Sequence, residues 1–316
     1  MQICVSLLGL TKGSTSEECY RIWRDNIPSE YTEKVENCVK EMAGQDVKGK
    51  LKTAGVDKIV SIKVKEKENK NKIAVLYAEG EIRDEDSSSP FSADEQVISE
   101  EMANKLRKLK DDDDVKAVVF RVNSPGGSAY ISEQIWKEVV ELKAKKPIVV
   151  SMGNYAASGG YYISCAANKI VAERTTLTGS IGVFGVVRNF TGTFDKVGVT
   201  TDIVKTNTFA DLGDISRPMR EDEKALIQRG VEQTYDLFLT RCADGRGMTK
   251  AEIDSIGQGR VWTGEQALER GLVDQLGGMD DAIKEAATLA ELTDYSVIVA
   301  DGPKRFLYQI HGEADG

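Results

Sequence analysis

Two short stretches combine the residue types and spacing that covalent catalysis needs. In Ser151-Met-Gly-Asn-Tyr-Ala-Ala-Ser-Gly-Gly-Tyr161, a strand-like run leads through small residues to Ser158 and then to Gly159 and Gly160. A serine at a strand-to-helix junction sits where the helix dipole and unpaired N–H groups favour negative charge, so its Oγ is a candidate nucleophile. In Arg121-Val-Asn-Ser-Pro-Gly-Gly-Ser128, Pro125 fixes one backbone angle and Gly126 and Gly127 free the next two. Backbone N–H groups can then point into a cleft, where they can stabilise a developing oxyanion. Taken singly, the glycine stretch is equally an ordinary tight turn, and Ser158 equally a helix N-cap among small, close-packed neighbours.

The Ser158 stretch is not the GxSxG elbow, whose usual triad also needs a histidine. His311, near the C-terminus, is the sole histidine, so catalysis is expected to proceed without one. Lysines and arginines number 42 against 51 aspartates and glutamates, a formal charge of −9, which argues against a polyanion partner such as nucleic acid. Cys4, Cys19, Cys38, Cys165 and Cys242 form no CxxC pair and are odd in number; they read as packing thiols. No metal or other cofactor is implied. The apolar run Ile3 to Leu10 is far shorter than the ~20 residues that span a bilayer and has no basic segment before it, so no anchor or signal peptide is expected there.

The elements that must position these turns follow from periodicity. Residues 1–71 are polar and mixed, without a motif, and the charged run at 65–72 reads as a solvated linker and domain boundary. From Lys72 strands alternate with helices. A strand at 73–82 and a helix over Ala93 to Leu109 are followed by four aspartates in a turn. Next come a strand Val115 to Val122, a helix Ala129 to Lys145, a strand Ile148 to Met152 with a glycine turn after it, and a helix from about Ala157. Further strands are expected at 169–171, Ile181 to Val187 and Thr201 to Lys205, with a short helix near Phe190 to Val197. A helix from Arg220 to about Arg241 leads into shorter pieces broken at Gly245, Gly257, Gly271 and Gly277, and residues 291–316 read as a strand and polar tail. This alternation implies an α/β fold with a parallel sheet, which places both glycine turns at the carboxyl ends of strands, where ligands are held.

The two turns together with Leu177-Thr-Gly-Ser-Ile-Gly-Val183, the run to Gly185, and GRVWTGEQALERGLVDQLGGMDDAI at 259–283 are far more specific than either alone. Over Lys72 to about Ala290 the chain resembles the C-terminal half of signal peptide peptidase A in its long, tandem-domain form. That is a serine–lysine peptidase of the Clp protease/crotonase superfamily, built from repeated strand-strand-helix units. The resemblance implies Ser158 as nucleophile, the N–H groups of Gly127 and Gly159 as oxyanion donors, and Ser180 as the serine that orients the catalytic lysine. It also implies a substrate of apolar signal-peptide remnants, a homo-oligomer, and a place on the outer side of the bacterial cytoplasmic membrane, the membrane held through a segment not found in these residues. Tyr155, Ala156, Ala157 and Tyr161 suit the rim of such a cleft, and core packing equally.

One departure concerns the general base. Where short family members carry their lysine, this chain has Ala210; in the long form the lysine comes from the N-terminal half. The base is therefore unassigned. The expectation is a nucleophile-bearing half whose lysine belongs to a missing N-terminal half. Lys205, turned away along a strand, is a substitute candidate, and a catalytically incomplete scaffold or a crotonase-type acyl-CoA hydratase or isomerase are the alternatives.

Overall fold

The residues of the strand Lys72–Glu79 (β1) alternate in the side they pack on. Ile73 and Val75 pack into one hydrophobic cluster and Ala74, Leu76 and Ala78 into another, all buried. A two-residue period with apolar groups on both faces is that of a sheet covered on both sides. The computed structural model describes residues 69–84 and 97–301, with Asn37. The expectations for residues 1–68, including most of the linker, for the loop beyond Asp84, and for the tail with His311 lie outside the described residues, as do Cys4, Cys19 and Cys38.

After β1 come Glu81–Ile82 (β2) and Val97–Ile98 (β3), then helix Glu101–Asp111 (α1), strand Val115–Ser124 (β4), helix Ala129–Lys143 (α2) and strand Ile148–Ala157 (β5). The one-turn helix Gly159–Tyr162 (α3), strands Lys169–Ala172 (β6) and Leu177–Gly179 (β7), and helix Thr191–Val197 (α4) follow. The long helix Glu221–Arg246 (α5) leads to Lys250–Ile256 (α6), Val261–Thr263 (β8), Gly264–Glu269 (α7), Gln275–Leu276 (β9), Met279–Leu289 (α8) and Ser296–Asp301 (β10). The main sheet runs in the order β10-β1-β4-β5-β6-β9, all parallel, with β7 joining the end of β5 and β8 pairing antiparallel to β7.

Helices cover both faces. On one, Met102 and Leu106 of α1 and Ile131, Ile135, Val139 and Leu142 of α2 pack on Leu76, Phe120 and Val150. On the other, Ala282, Ala286 and Ala287 of α8 pack on Val75, Val119 and Val149. Burying a side chain such as Phe120 completely contributes about 2–3 kcal/mol, so the central strands anchor the fold. The parallel α/β arrangement expected from the alternation is the one observed. Cys165 and Cys242 are buried thiols without a disulfide, and no helix of the described residues is long and apolar enough to cross a membrane.

The structure differs from expectation where tertiary pairing overrides local pattern. The helix expected from Ala93 begins at Glu101, because Val97–Ile98 pairs with Glu81–Ile82 instead. The strand expected to stop at Met152 runs to Ala157, since Tyr155, Ala156 and Ala157 pair with β7. Ile181 to Val187 and Thr201 to Lys205 are not strands: among the described residues they find no sheet partner, and Phe184, Val186 and Val204 are exposed. Gly245 lies inside α5 rather than ending it. A Cβ there would stand 2.3 Å from the Cys165 carbonyl oxygen, so this glycine serves close approach, and the helix ends at Gly247 with φ 64°.

Candidate active site

The turn after β4 is shaped by the short strand β2. The Ile82 N–H donates to the Gly126 carbonyl (2.9 Å), and the Ser128 N–H donates to the Ile82 carbonyl (2.7 Å). Gly127 has φ 146°, and a Cβ on it would lie 2.1 Å from the Ile82 oxygen, so no other residue fits. Gly126 has φ 100°, and a Cβ there would meet the Gly159 nitrogen at 2.5 Å and the Ser158 Cβ at 2.8 Å. The two glycine turns, separate in sequence, are therefore in van der Waals contact, and only the absence of side chains lets them approach.

Ser158 sits between β5 and α3 at φ 52°, ψ −119°. Few residues other than glycine accept this conformation, and such strain is concentrated at functional positions. It is held by pairing on both sides: the Ser158 N–H donates to the Gly179 carbonyl (3.0 Å), and its carbonyl accepts from Tyr162 (2.9 Å). Its hydroxyl has no hydrogen-bond partner among the described residues. Helix α3 is a single turn, so the macrodipole expected to assist Ser158 is small, and what remains is local N–H donation. The N–H groups of Gly127 and Gly159 likewise donate to no group among the described residues. The residue after β7, Ser180, also has positive φ (47°) and donates its N–H to the Arg260 carbonyl (2.8 Å).

Ser158, Gly127, Gly159 and Ser180 line one cleft of about 440 Å³. Its apolar lining includes Tyr162, Val183, Phe184 and Phe238, and among the described residues its one charged lining residue is Glu81. The rings of Tyr162 and Phe238 meet at 4.7 Å between centroids. Burial, and then the hydrogen bond to Glu133, push the Tyr162 phenol well above its ordinary range, so it stays neutral. The rim expected from Ala156 and Tyr161 is not there: both are fully buried in the core, while Tyr155 is exposed and does not line the cleft. Phe184, Thr234 and Phe238 line the cleft beyond the residues expected from the motifs. The last two lie on α5, and nothing in their helical spacing distinguishes a wall residue from a core residue.

No lysine lines this cleft among the described residues. Lys205, the substitute candidate, lies on no strand, and its Nζ bonds to Asp211 Oδ1 at 2.8 Å. Asp211 is held well below the usual carboxylate range by Lys205 and Arg217, and Arg217 also binds Glu223. Ala210 is exposed in the same segment.

The chain matches the profile of Peptidase family S49 over residues 140–293 and that of Clp protease over residues 88–181. It is 44% identical over 224 residues to Protease 4 of Salmonella typhi, an overlap of 71% of this chain and 35% of that protein. It is 38% identical to the Enterococcus faecium protein named "Putative signal peptide peptidase SppA", over 77% of this chain and 71% of that one. It is 35% identical to the chloroplastic serine protease SPPA of Arabidopsis thaliana, over 83% and 39%. The chain thus spans about a third of the length of the bacterial Protease 4 sequences it matches.

Proposed function

The chain belongs to peptidase family S49, and from that premise we propose that it acts as a serine endopeptidase on extended apolar peptides, the remnants of cleaved signal peptides. Ser158 Oγ attacks the scissile carbonyl, and the N–H groups of Gly127 and Gly159 receive the charge that develops on its oxygen. A lysine amine, oriented by Ser180, takes the serine proton and returns it to the leaving amine as the C–N bond breaks, and water activated by the same amine then hydrolyses the Ser158 ester. The observation that carries this reading is the contact between the Gly126–Gly127 turn and Ser158–Gly159, with two N–H donors and one hydroxyl that have no partner among the described residues.

The base in this reading comes from outside the described residues, in keeping with a long-form peptidase whose lysine belongs to its N-terminal half. An amine in that role needs its pKa lowered from ~10.4, which burial against the apolar wall would do. The active assembly is a homo-oligomer on the outer side of the bacterial cytoplasmic membrane. The second reading, a non-catalytic subunit of the same family, is favoured by the pairing of Lys205 with Asp211 and the alanine at 210.

Reaction with a fluorophosphonate probe, with Ser158→Ala as control, tests the proposal. Labelling that disappears in the variant supports a reactive nucleophile. No labelling by folded chain, with none after addition of a Protease 4 N-terminal half, would favour the non-catalytic subunit.

A further inference from the structure

Glu133 joins three helices that surround the cleft. It lies one turn into α2, the helix that starts from the Gly127 turn, and its Oε2 accepts the Tyr162 hydroxyl at 2.5 Å. Arg241 of α5 binds the same carboxylate through Nε (3.2 Å) and through a terminal guanidinium nitrogen. The guanidinium carbon of Arg241 in turn lies 3.9 Å from the centroid of the Trp136 ring, on α2. Tyr162 follows Ser158 by one turn, and the residue is 3% exposed, so its hydroxyl needs an internal partner.

A single carboxylate thereby ties together the helix of the oxyanion turn, the helix of the nucleophile and the helix that carries Phe238. Tyr162 and Phe238 form the aromatic wall of the cleft. We propose that Glu133 is a positioning residue that sets the distance and tilt of this wall, and so determines the fit of large apolar side chains of the substrate. The inference rests on the peptidase reading of the cleft. It places no burden on Glu133 as an acid or base, because the carboxylate is turned to Arg241 and Tyr162.

The test is binding, since it needs no general base. Two fluorescein-labelled decapeptides, one leucine-rich and one alanine-rich, are titrated by anisotropy against the Ser158→Ala chain with and without Glu133→Gln. The amide still accepts from Tyr162 but loses the charge that holds Arg241. The leucine-rich peptide is expected to bind about tenfold more weakly and the alanine-rich peptide within twofold, the size of change that follows loss of a charge-assisted bond. Tyr162→Phe, which removes only the hydroxyl, should show the same selectivity if Glu133→Gln fails to fold. Equal weakening of both peptides, or of neither, overturns the proposal. If the Ser158→Ala chain binds neither peptide, the peptidase reading itself fails, and this inference with it.

Discussion

The amide of Ser158 donates to the carbonyl of Gly179 at 3.0 Å, which fixes the end of β5 to the residue that immediately precedes Ser180. Both serines emerge from this junction at positive φ, 52° and 47°, and both face the same cleft. The pairing of β5 with β7 is thus what brings Ser158 and Ser180 together.

The strain at Ser158 should be measurable. Replacing it with glycine removes the Cβ from a conformation that L-residues disfavour, and is expected to stabilise the chain by about 1 kcal/mol while abolishing probe labelling. Ser158→Ala also loses labelling but keeps the Cβ, so its melting temperature should stay near that of the parent. Thermal melts of the three chains check this, and a glycine variant less stable than the alanine one would contradict it.

Gly127→Ala should be severe, because its Cβ would meet the Ile82 carbonyl oxygen, a backbone atom that cannot step aside. Destabilisation of about 2 kcal/mol or more and loss of labelling are expected. Denaturant titration measures the first. An alanine variant with unchanged midpoint would mean that the turn is not held as described.

Lys205→Met separates the competing assignments of the base. Its amine is bound to Asp211 and does not line the cleft. Probe labelling of Ser158, once observed, should therefore persist in the variant at a rate within twofold. A rate lowered a hundredfold or more would make Lys205 the base after all.

Acid should loosen the 205–223 segment first. Arg217 heads the groups that lower Glu223, to about 2, and Asp211 is depressed in the same way by Lys205 and Arg217. Because the folded values lie below those of the unfolded chain, this stabilisation is complete above about pH 5 and is lost as pH falls toward 2. Hydrogen exchange followed from pH 6 to 3 should show residues 205–217 losing protection before β4 and β5, and Glu223→Gln should flatten that dependence. Simultaneous loss in the strands and the segment would rule it out.

Much of the site was legible in the residues because its chemistry is local. Gly126, Gly127, Ser158, Gly159 and Ser180 lie in short motifs whose backbone demands exclude most other residues, and the structure gathers them at one cleft. The parallel sheet was legible for a related reason: buried strands such as Val115–Ser124 hold a continuous apolar run, Ala117 to Phe120, that buries side chains on both faces. The segments 181–187 and 201–205, expected as strands, also carry β-branched and aromatic residues, yet find no sheet partner among the described residues. Composition records the tendency to pair, but whether a neighbour is present depends on distant segments.

What the sequence by itself determined was therefore the identity of the turns that meet at the cleft and the order of most strands and helices, both set by short-range sterics and periodicity. The tertiary structure alone decided which walls enclose them. Phe238 stands more than seventy residues from Ser158 and enters the cleft only because α5 packs against α2 and α3, where Arg241 meets Glu133 and Trp136 and Phe238 meets Tyr162. Contacts between distant segments follow from the burial of whole faces, and no local pattern of residues encodes them.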